Sequence, residues 1–365
     1  MRVGVVCPYS LSLPGGVQGQ ALGLARSLRA LGHHARVLGP CDGPPPEVGV
    51  VPLGNTMGAL ANGSVAPIAP DFPCALRTIR AVRDEGFDVL HLHEPLVPGP
   101  CLTAVTVSST ALVGTFHAAG GSAAYTWLRP LTRHLGRRLH LRCAVSDDAR
   151  DMASRALGGE YEVVGNGIDL DRFAKATPWP TDRPTVVFVS RHEARKGLEV
   201  LLAALAHVPQ DVRVWVASDG PETHRLRAEA AGDSRVEWLG RLTEEEKAQR
   251  LRGADVLCAP SLHGESFGMV LLEGMAAGTA IVASDLPGYR NVARHDREAL
   301  LVPPADARAL GEALTRVLRE PPLAARLVAG GDTRAATFAI DRLAERYLGI
   351  YESALRRAGR EVRRP

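Results

Sequence analysis

The chain contains 365 residues, which is long for one hydrophobic core and sufficient for two domains, because single cores stop growing near ~250–300 residues. Its 43 basic and 40 acidic residues nearly balance, so the overall charge indicates no binding to nucleic acid. No run of ~18 apolar residues occurs, and the opening apolar strand is too short for a signal peptide. These features predict a two-domain cytoplasmic enzyme.

The cysteines and acidic residues show no metal-binding pattern. No Cys-x-x-Cys pair occurs, and no histidine stands at metal-ligand spacing from a cysteine. The Asp-x-Asp pattern in "IDLD" (168–171) falls in a stretch without strand character, and we interpret it as a turn. The sequence therefore predicts reduced core cysteines and no metal. The cysteines are Cys7, Cys41, Cys74, Cys101, Cys143 and Cys258.

In the first half of the chain, short β-branched runs alternate with amphipathic segments of helical length. Strands separated by helices at this spacing indicate βαβ units and a parallel, doubly wound sheet. The predicted strands are 2–6, 34–38, 88–92, 112–116 and 142–145, and the predicted helices include 17–31, 72–85 and 123–135.

The same alternation starts again in the second half. Between the halves, "GNGIDLDRFAKATPWPTDRP" has no periodicity and is typical of a linker. We predict an α/β protein with a Rossmann-like domain at 1–168, a linker at 169–184, a second Rossmann-like domain at 185–345, and a C-terminal helix and basic tail at 346–365 that return to the first domain. Ligands should bind in a cleft between the domains, at the carboxyl ends of the strands. The predicted strands are 185–190, 212–217, 235–239, 255–259 and 280–283, and the predicted helices lie near 198–207, 222–231, 244–252 and 267–277.

Two adjacent glycines, Gly15 and Gly16, stand between the first strand and the first helix. Backbone N–H groups and the positive helix end bind phosphate at such a place, and the missing Cβ atoms allow close approach. A tight strand-to-helix turn explains the pair equally well. The stretch "GGVQG" lacks the G-x-G-x-x-G spacing, which disfavours an NAD-dependent dehydrogenase.

The stretch "VSRHEARKGLEVLL" places Arg191 and Lys196 between a strand and the next helix. Two cations at a strand end suit a diphosphate leaving group, although solvated surface cations are the simpler alternative.

Two glutamates in "HGESFGMVLLEGMAAGTAIVASD" flank the start of the next apolar helix. Glu265 can hold hydroxyl groups, while the N–H groups of a first turn formed by 266–268 hold phosphate oxygens. Glu273, eight residues later, can reach a more remote part of the same ligand. An acid favoured by the helix dipole plus a solvated acid is the alternative, but it does not explain why Glu273 lies in so apolar a segment.

These two stretches resemble the retaining glycosyltransferases of family 4, which have the GT-B fold, and Glu265 and Glu273 match their E-x7-E motif. The segments "MRVGVVCPYSLSLPGGVQ", "NGSVA", "FDVLHLHEP" and "GTFHA" are more similar still to the actinobacterial phosphatidylinositol mannosyltransferases, and the resemblance covers nearly the whole chain. It implies transfer of a hexose, mannose from GDP-mannose, to a hydroxyl of an inositol-like or other polyhydroxy acceptor, lipid-linked or soluble. The nucleotide sugar is a co-substrate, and no further cofactor is implied.

The resemblance implies a donor site. The glycines, the two cations and the N–H groups after Glu265 would hold the diphosphate, Glu265 the sugar hydroxyls and Glu273 the ribose, while "GRLTEEEK" would contact the base. The implied donor-binding residues are Gly15, Gly16, Arg191, Lys196, Leu242, Glu244, Lys247, Glu265, Ser266, Phe267, Gly268 and Glu273.

The resemblance also implies a reaction centre, at which His117 would lie beside the sugar; a structural histidine is the alternative. No pair of acids stands at glycosidase-like positions, so a front-face displacement fits retention. The implied catalytic residues are His117, Arg191, Lys196 and Glu265, and the implied acceptor-binding residues are Tyr9, Asn62 and Ser64.

The acceptor region departs from the family. Residues 67–70 read Pro-Ile-Ala-Pro where the relatives have arginines, and helix 72–85 keeps three arginines, with apolar residues expected to pack on the sheet. The sequence therefore predicts an acceptor without a lipid phosphate and at most weak association with the inner face of the plasma membrane. The arginines are Arg77, Arg80 and Arg83, and the apolar residues are Phe72, Leu76, Ile79 and Val82.

Other functions fit part of the pattern. A GT-B nucleotide-sugar epimerase would share the donor contacts but need no acceptor. A transferase that moves a UDP-sugar to a natural product would share the chemistry but use other substrates. A non-catalytic sensor of nucleotide sugars would need the donor site alone.

Overall fold

The computed structural model describes residues 1–61, 64–118 and 129–360. The chain forms two compact units, Met1–Gly167 with Ile340–Pro365, and Ile168–Ala339. The strands are β1 (Arg2–Val6), β2 (His34–Gly39), β3 (Val50–Pro52), β4 (Met57–Ala61), β5 (Ser64–Ile68), β6 (Val89–His93), β7 (Ala111–Phe116), β8 (Leu141–Ala144), β9 (Glu162–Val163), β10 (Thr185–Val189), β11 (Arg213–Ala217), β12 (Val236–Gly240), β13 (Val256–Ala259), β14 (Ala280–Ser284) and β15 (Leu300–Val302). The helices are α1 (Gly16–Ala30), α2 (Phe72–Glu85), α3 (Pro100–Val107), α4 (Arg129–Gly136), α5 (Asp147–Leu157), α6 (Leu170–Ala174), α7 (Leu198–Ala204), α8 (Thr223–Glu229), α9 (Glu244–Gly253), α10 (Met269–Ala276), α11 (Pro287–Arg290), α12 (Ala307–Arg319), α13 (Pro321–Ala336) and α14 (Ile340–Arg357).

The first unit is built on a parallel sheet with the strand order β3-β2-β1-β6-β7-β8-β9. Its central strands β6 and β7 are buried along their whole length, as expected for parallel strands covered on both faces. The strand order reverses between β1 and β6, so the loops after these two strands flank the point where doubly wound sheets bind ligands.

The second unit repeats this arrangement with the order β12-β11-β10-β13-β14-β15. Its reversal lies between β10 and β13, which pair in parallel at Val186–Val256 and Val187–Leu257. The predicted doubly wound α/β architecture is therefore confirmed in each unit. All six cysteines are buried and free of disulfides, as predicted.

Several elements lie outside the sequence predictions. The strands β3, β9 and β15 are only two or three residues long, too short for a periodic pattern. The antiparallel hairpin β4–β5 contains Pro67 and Gly58 as opposed residues, both unusual in strands. The predicted helix 123–135 overlaps α4, and its first residues lie outside the described part of the chain.

The stretch 169–184, predicted as a linker, belongs to the second unit. Asp169 caps α6 by accepting a hydrogen bond from the Arg172 N–H at 3.1 Å, and Phe173 is buried. Farther along, the Trp179 ring stacks on the Arg250 guanidinium at 3.8 Å, and the backbone N–H of Trp179 donates to the Gln249 carbonyl at 3.0 Å. Aromatic residues thus anchor a segment whose proline content is typical of a free connector.

The Asp-x-Asp pattern lies at the start of α6 and is not a turn. While Asp169 caps the helix, Asp171 forms an exposed ion pair with Lys175 at 2.7 Å. Both carboxylates therefore have a structural partner.

The chain returns to the first unit at Ile340, six residues before the predicted boundary. The early residues of α14, Ile340 and Leu343, already join the core of the first unit. Farther along, Tyr347 and Tyr351 are fully buried there. The apolar face of α14 therefore begins at the first residue of the helix. The predicted domain boundary at 346 lies inside this helix.

Helix α2 contradicts the prediction for three of its four apolar residues, whereas Val82 packs against the core of the first unit as predicted. Phe72, Leu76 and Ile79 are 74%, 50% and 38% exposed, whereas Cys74 and Thr78 are buried. The helix packs through its small residues, which allow close approach to the neighbouring α3, and this leaves the large side chains in solvent. In the part of the chain that the structure describes, no helix is both long and apolar enough to cross a membrane.

Candidate functional site

In the second unit, an ion pair joins the loops that follow the neighbouring strands β10 and β13. Lys196 Nζ lies 2.5 Å from Glu265 Oε1, and the Ser261 hydroxyl donates to the same oxygen at 2.8 Å. The two charged side chains are only 17% and 11% exposed. The carboxyl ends of parallel strands meet at one edge of the sheet, which is why residues so distant in sequence come together.

A close approach of backbone to backbone holds these two loops in register. Gly197 has φ 71°, and a Cβ atom at this position would lie 1.9 Å from the Pro260 carbonyl oxygen. Beside this contact, the Leu262 N–H donates to the Arg195 carbonyl at 2.8 Å. Only glycine can adopt the left-handed backbone and also fit in the available space. Because Lys196 directly precedes this glycine, its ammonium group stands at the end of the turn 194–196.

Glu265 is a carboxylate held in its ionised form. Burial raises the pKa of this carboxyl group. The ammonium of Lys196 and the hydroxyl of Ser261 lower it by more than burial raises it, so the pKa lies below its ordinary value. Ser261 also shares a hydrogen bond of 2.9 Å with the Tyr289 hydroxyl. The resulting cluster offers a negative acceptor next to a positive donor, which can bind hydroxyl groups and phosphate side by side.

The second predicted cation lies in the same turn but has another partner. Arg191 is half-exposed, and its guanidinium lies 3.1 Å from Glu193, which also pairs with Arg195 at 2.9 Å. The two predicted cations are thus held by different carboxylates.

Residues 266–268 do not form the first turn of a helix, contrary to the prediction. Helix α10 begins at Met269, and Gly268 precedes it with φ 98°, a left-handed conformation that stops the helix from starting earlier. Phe267 is buried against Phe338, with the ring centroids 5.7 Å apart. Among the described residues, the N–H groups of Phe267 and Gly268 have no backbone acceptor, so both remain candidates for binding an anion.

A second charged cluster joins α9 and α10. Lys247 Nζ lies 2.8 Å from Glu273 Oε1 and 3.0 Å from Glu244 Oε2. Burial lowers the pKa of Lys247, but the two carboxylates raise it more, so the pKa is above its ordinary value and the group stays a cation. Arg172, from the segment predicted as a linker, adds a contact of 3.0 Å to Glu244. Leu242 lies half-buried in the connection from β12 to α9. Three residues predicted to bind nucleotide thus form one network.

In the first unit, the two predicted glycines stand at the start of α1. Gly15 is the N-cap and Gly16 the first helical residue, and both are exposed. Gly15 has φ −177°, an extended conformation open to any residue, but a Cβ atom here would lie 2.3 Å from Gln18 Oε1, so close packing of this side chain favours glycine.

The acceptor residues predicted from the resemblance lie near the β4–β5 hairpin. Tyr9 forms a bridge to Ile68, and the Ser10 N–H donates to the Pro67 carbonyl at 3.1 Å. Ser64 is the first residue of β5. Asn62 and the side chain of Ser64 lie outside the described part of the chain.

His117 lies at the carboxyl end of β7 and is buried. Its Nε2 shares a hydrogen bond of 2.8 Å with His93 Nδ1. Burial lowers the pKa of His117 to about 3, so the ring is neutral at physiological pH. It can exchange hydrogen bonds with a ligand, but it is not a cation that stabilises a leaving group.

Sequence reasoning did not select Glu94, which holds the backbone at this strand end. Its Oε1 accepts hydrogen bonds from the N–H groups of His117 and Ala118, both at 2.7 Å. The Glu94 backbone has φ 52°, which is uncommon for a residue with a Cβ atom. The sequence "HLHEP", in which two histidines share one face at the end of a buried strand and an acid follows directly, is the signal that could have identified it.

Comparison with known proteins extends over both units. The family described as "Glycosyltransferase Family 4" matches residues 14–172, and "Glycosyl transferases group 1" matches residues 183–320. The chain is 39% identical to the phosphatidyl-myo-inositol mannosyltransferase of Mycobacterium leprae, over 97% of each chain. The chain belongs to the phosphatidyl-myo-inositol mannosyltransferase family. A relative with the same name from Mycolicibacterium smegmatis is also 39% identical to this glycosyltransferase, over 97% of its chain and 94% of the relative.

Solved structures show the fold of this glycosyltransferase. Sucrose-phosphate synthase from Thermosynechococcus elongatus superposes with a TM-score of 0.77 at 20% identity, covering 97% of this chain and 99% of that one. The predicted GT-B fold and membership of glycosyltransferase family 4 are therefore confirmed.

Proposed function

We propose that this glycosyltransferase moves mannose from GDP-mannose to a hydroxyl of the inositol ring of phosphatidylinositol, with retention of configuration. The names of its relatives support this acceptor and this sugar, and for that reason phosphatidylinositol replaces the acceptor without a lipid phosphate that the sequence predicts. The observation that carries the proposal is the Lys196–Glu265 pair, because one edge of the sheet offers a cation for the diphosphate and an ionised carboxylate for the sugar hydroxyls.

The donor would exchange partners with this pair. Lys196 turns from Glu265 to an oxygen of the diphosphate, and Glu265 accepts hydrogen bonds from hydroxyls of the sugar. Glu273 accepts from the ribose, with Lys247 holding its carboxylate in place. Each charge is paired before the donor binds, so the unliganded site avoids an isolated buried charge.

The transfer would take place on one face of the sugar. The bond from the anomeric carbon to the diphosphate breaks, the acceptor oxygen bonds to the same carbon, and the acceptor proton moves to the leaving diphosphate oxygen. Lys196 and the N–H groups of Phe267 and Gly268 stabilise the negative charge that develops on that oxygen. His117 contributes a neutral hydrogen bond to the sugar.

We further propose that positively charged side chains take the role a divalent cation plays in other glycosyltransferases. Arg191 and Lys196 follow the same strand, and the diphosphate carries charge that both can neutralise. The described residues contain no group of three or more histidine, cysteine or acidic side chains that could hold a metal ion.

Helix α2 supports peripheral binding to an anionic bilayer. The exposed residues Phe72, Leu76 and Ile79 follow helical spacing and form one stripe, and Arg83 continues it with Arg80 alongside. Asp84 pairs with both arginines, at 3.3 and 3.0 Å, which reduces their attraction to anionic lipids. We therefore infer weak association, driven mainly by the apolar stripe, that brings the enzyme to a lipid acceptor.

A substrate panel tests the function. GDP-mannose, GDP-glucose, UDP-glucose and UDP-N-acetylglucosamine are compared by thermal shift, since the true donor stabilises the folded state by mass action. Each donor is then incubated with phosphatidylinositol vesicles or free myo-inositol, and the products are analysed. We expect mannosylated phosphatidylinositol. A rearranged sugar without acceptor would indicate an epimerase, and transfer only to free inositol would contradict the lipid acceptor.

A further inference from the structure

Three buried histidines lie close together on the first sheet, His91 and His93 on β6 and His117 just after β7, and one ring nitrogen of His93 has no hydrogen-bond partner among the described residues. His91 uses both nitrogens, at 2.8 Å to the Tyr351 hydroxyl and 2.7 Å to the Thr115 hydroxyl. His93 uses Nδ1 for its bond to His117, whereas its Nε2 is buried without a partner among the described residues. The position of the protons in the His93–His117 pair follows from this asymmetry.

Both rings of the pair are neutral. Burial lowers the pKa of His117 to about 3 and that of His93 well below its ordinary value. A neutral imidazole carries one N–H, so their shared bond contains one proton and has two possible arrangements. In the first, His93 Nδ1–H donates to His117 Nε2. In the second, His117 Nε2–H donates to His93 Nδ1.

The unused nitrogen distinguishes the two arrangements. In the second, His93 carries its proton on Nε2, and this buried N–H group has no acceptor among the described residues. In the first, the same atom is a buried acceptor without a donor. Among buried backbone groups, N–H donors without a partner are rarer than acceptors without one, and we extend this preference to the ring nitrogens, which favours the first arrangement.

We propose that His93 is a positioning residue that holds His117 in the Nδ1–H tautomer, so that His117 offers a hydrogen-bond donor to an oxygen of the sugar. The hydrogen bond at one nitrogen of an imidazole decides which nitrogen carries the proton. Glu94 fixes the backbone of His117 and Ala118 and thereby orients the His117 ring. His93 thus decides which ring nitrogen donates, and Glu94 decides where that nitrogen points. The proposal rests on the proposed function only for the nature of the ligand.

A tautomer measurement tests the proposal without a substrate. The full-length protein is labelled with ¹⁵N-histidine, and long-range ¹H–¹⁵N correlation spectra at neutral pH identify which nitrogen of each ring carries the proton. The His117 signals are assigned by their absence in His117→Asn. We expect His117 protonated at Nδ1 and His93 protonated at Nδ1. Protonation of His117 at Nε2 would overturn the proposal even if no variant of His93 folds.

Variants of His93 test its control over His117. In His93→Leu, we expect the His117 proton to shift toward Nε2 and the transfer rate to fall by roughly a hundredfold, the typical effect of losing one preoriented donor. His93→Asn, whose amide can donate to His117 Nε2, should restore the tautomer and part of the rate. The control is His224→Asn at an exposed histidine, which should change neither.

The results separate this proposal from the proposed function. An unchanged His117 tautomer in folded His93→Leu would show that His93 does not set it. Absence of transfer by the wild-type protein with every donor would contradict the proposed function, while the tautomer result would stand.

Discussion

The Lys196 ammonium and the Glu265 carboxylate lie 2.5 Å apart, although 69 positions separate them in the chain. Each follows a strand of the same parallel sheet, and both side chains are largely shielded from solvent. A pair of this kind is costly to break from one side, because the remaining charge stays partly buried. It can be opened by a ligand that offers an anion to one partner and hydroxyls to the other.

Replacing either partner of this pair should abolish efficient transfer. We expect Lys196→Met and Glu265→Gln each to lower kcat/KM by at least about 10²-fold, since each removes a group that acts on the diphosphate or the sugar. Steady-state kinetics with GDP-mannose measure the loss, and circular dichroism checks folding. The matched control is Lys175→Met, which breaks the exposed pair with Asp171 and should keep wild-type activity. Near-normal rates in either test variant would contradict the assigned site.

The same pair should make stability depend on pH. The folded-state pKa of Glu265 lies below its ordinary value, so its ionised form contributes stability above the unfolded pKa of ~4.3 that is lost as pH falls through the folded value. In Lys196→Met, burial of the carboxylate is no longer opposed by the ammonium. We expect the difference in unfolding free energy between wild type and variant to be largest at pH 7. It should shrink as pH falls through the raised pKa of Glu265 in the variant and then through the lowered pKa in the wild type. Urea denaturation across this range measures it, and a constant difference would contradict the coupling.

Glu273→Gln should weaken binding of the donor without slowing the chemical step. A carboxylate that accepts hydrogen bonds from a ribose contributes equally before and during transfer, so its loss raises KM and leaves kcat nearly unchanged. We expect about tenfold to a hundredfold weaker binding of GDP and GDP-mannose by calorimetry. Glu312→Gln, at an exposed glutamate paired with Arg308, serves as the control. A fall in kcat with unchanged affinity would place Glu273 in the chemical step instead.

Transfer should not require a divalent cation. Arg191 and Lys196 supply positive charge for the diphosphate, so we expect the initial rate to be unchanged after dialysis against EDTA. The rate is then measured again with added magnesium or manganese. Loss of activity in EDTA that either metal restores would show that these side chains do not suffice.

The exposed stripe on α2 should govern membrane binding. We expect the double variant Phe72→Ser, Leu76→Ser to bind vesicles with anionic lipid at least about tenfold more weakly than wild type, since both side chains lose apolar burial in the interface. Vesicle sedimentation at several salt concentrations measures this. Val48→Ser removes an apolar side chain that is 94% exposed elsewhere, and its binding should match wild type. Equal binding by the double variant would exclude α2 as the docking surface.

The local pattern of the sequence was sufficient for the architecture. The strands at 2–6 and 185–189 could be predicted because a buried parallel strand is a nearly continuous apolar run, visible without knowledge of its neighbours. The alternation of these runs with amphipathic helices predicted two doubly wound domains. The sequence motifs also identified Lys196 and Glu265 as candidate site residues, because both follow strand ends at which such sheets bind ligands.

The tertiary structure alone decided what those residues contact. It joined Lys196 to Glu265 and His93 to His117, placed 169–184 in the second unit, and turned the large apolar residues of α2 toward solvent. Each of these outcomes depends on contacts between segments that are far apart in the chain. On α2, the small residues Cys74 and Thr78 occupy the buried face, and no pattern within the helix states which side its neighbours will cover. Local sequence sets the period of an element, whereas its packing partners determine which face is buried and which charges meet.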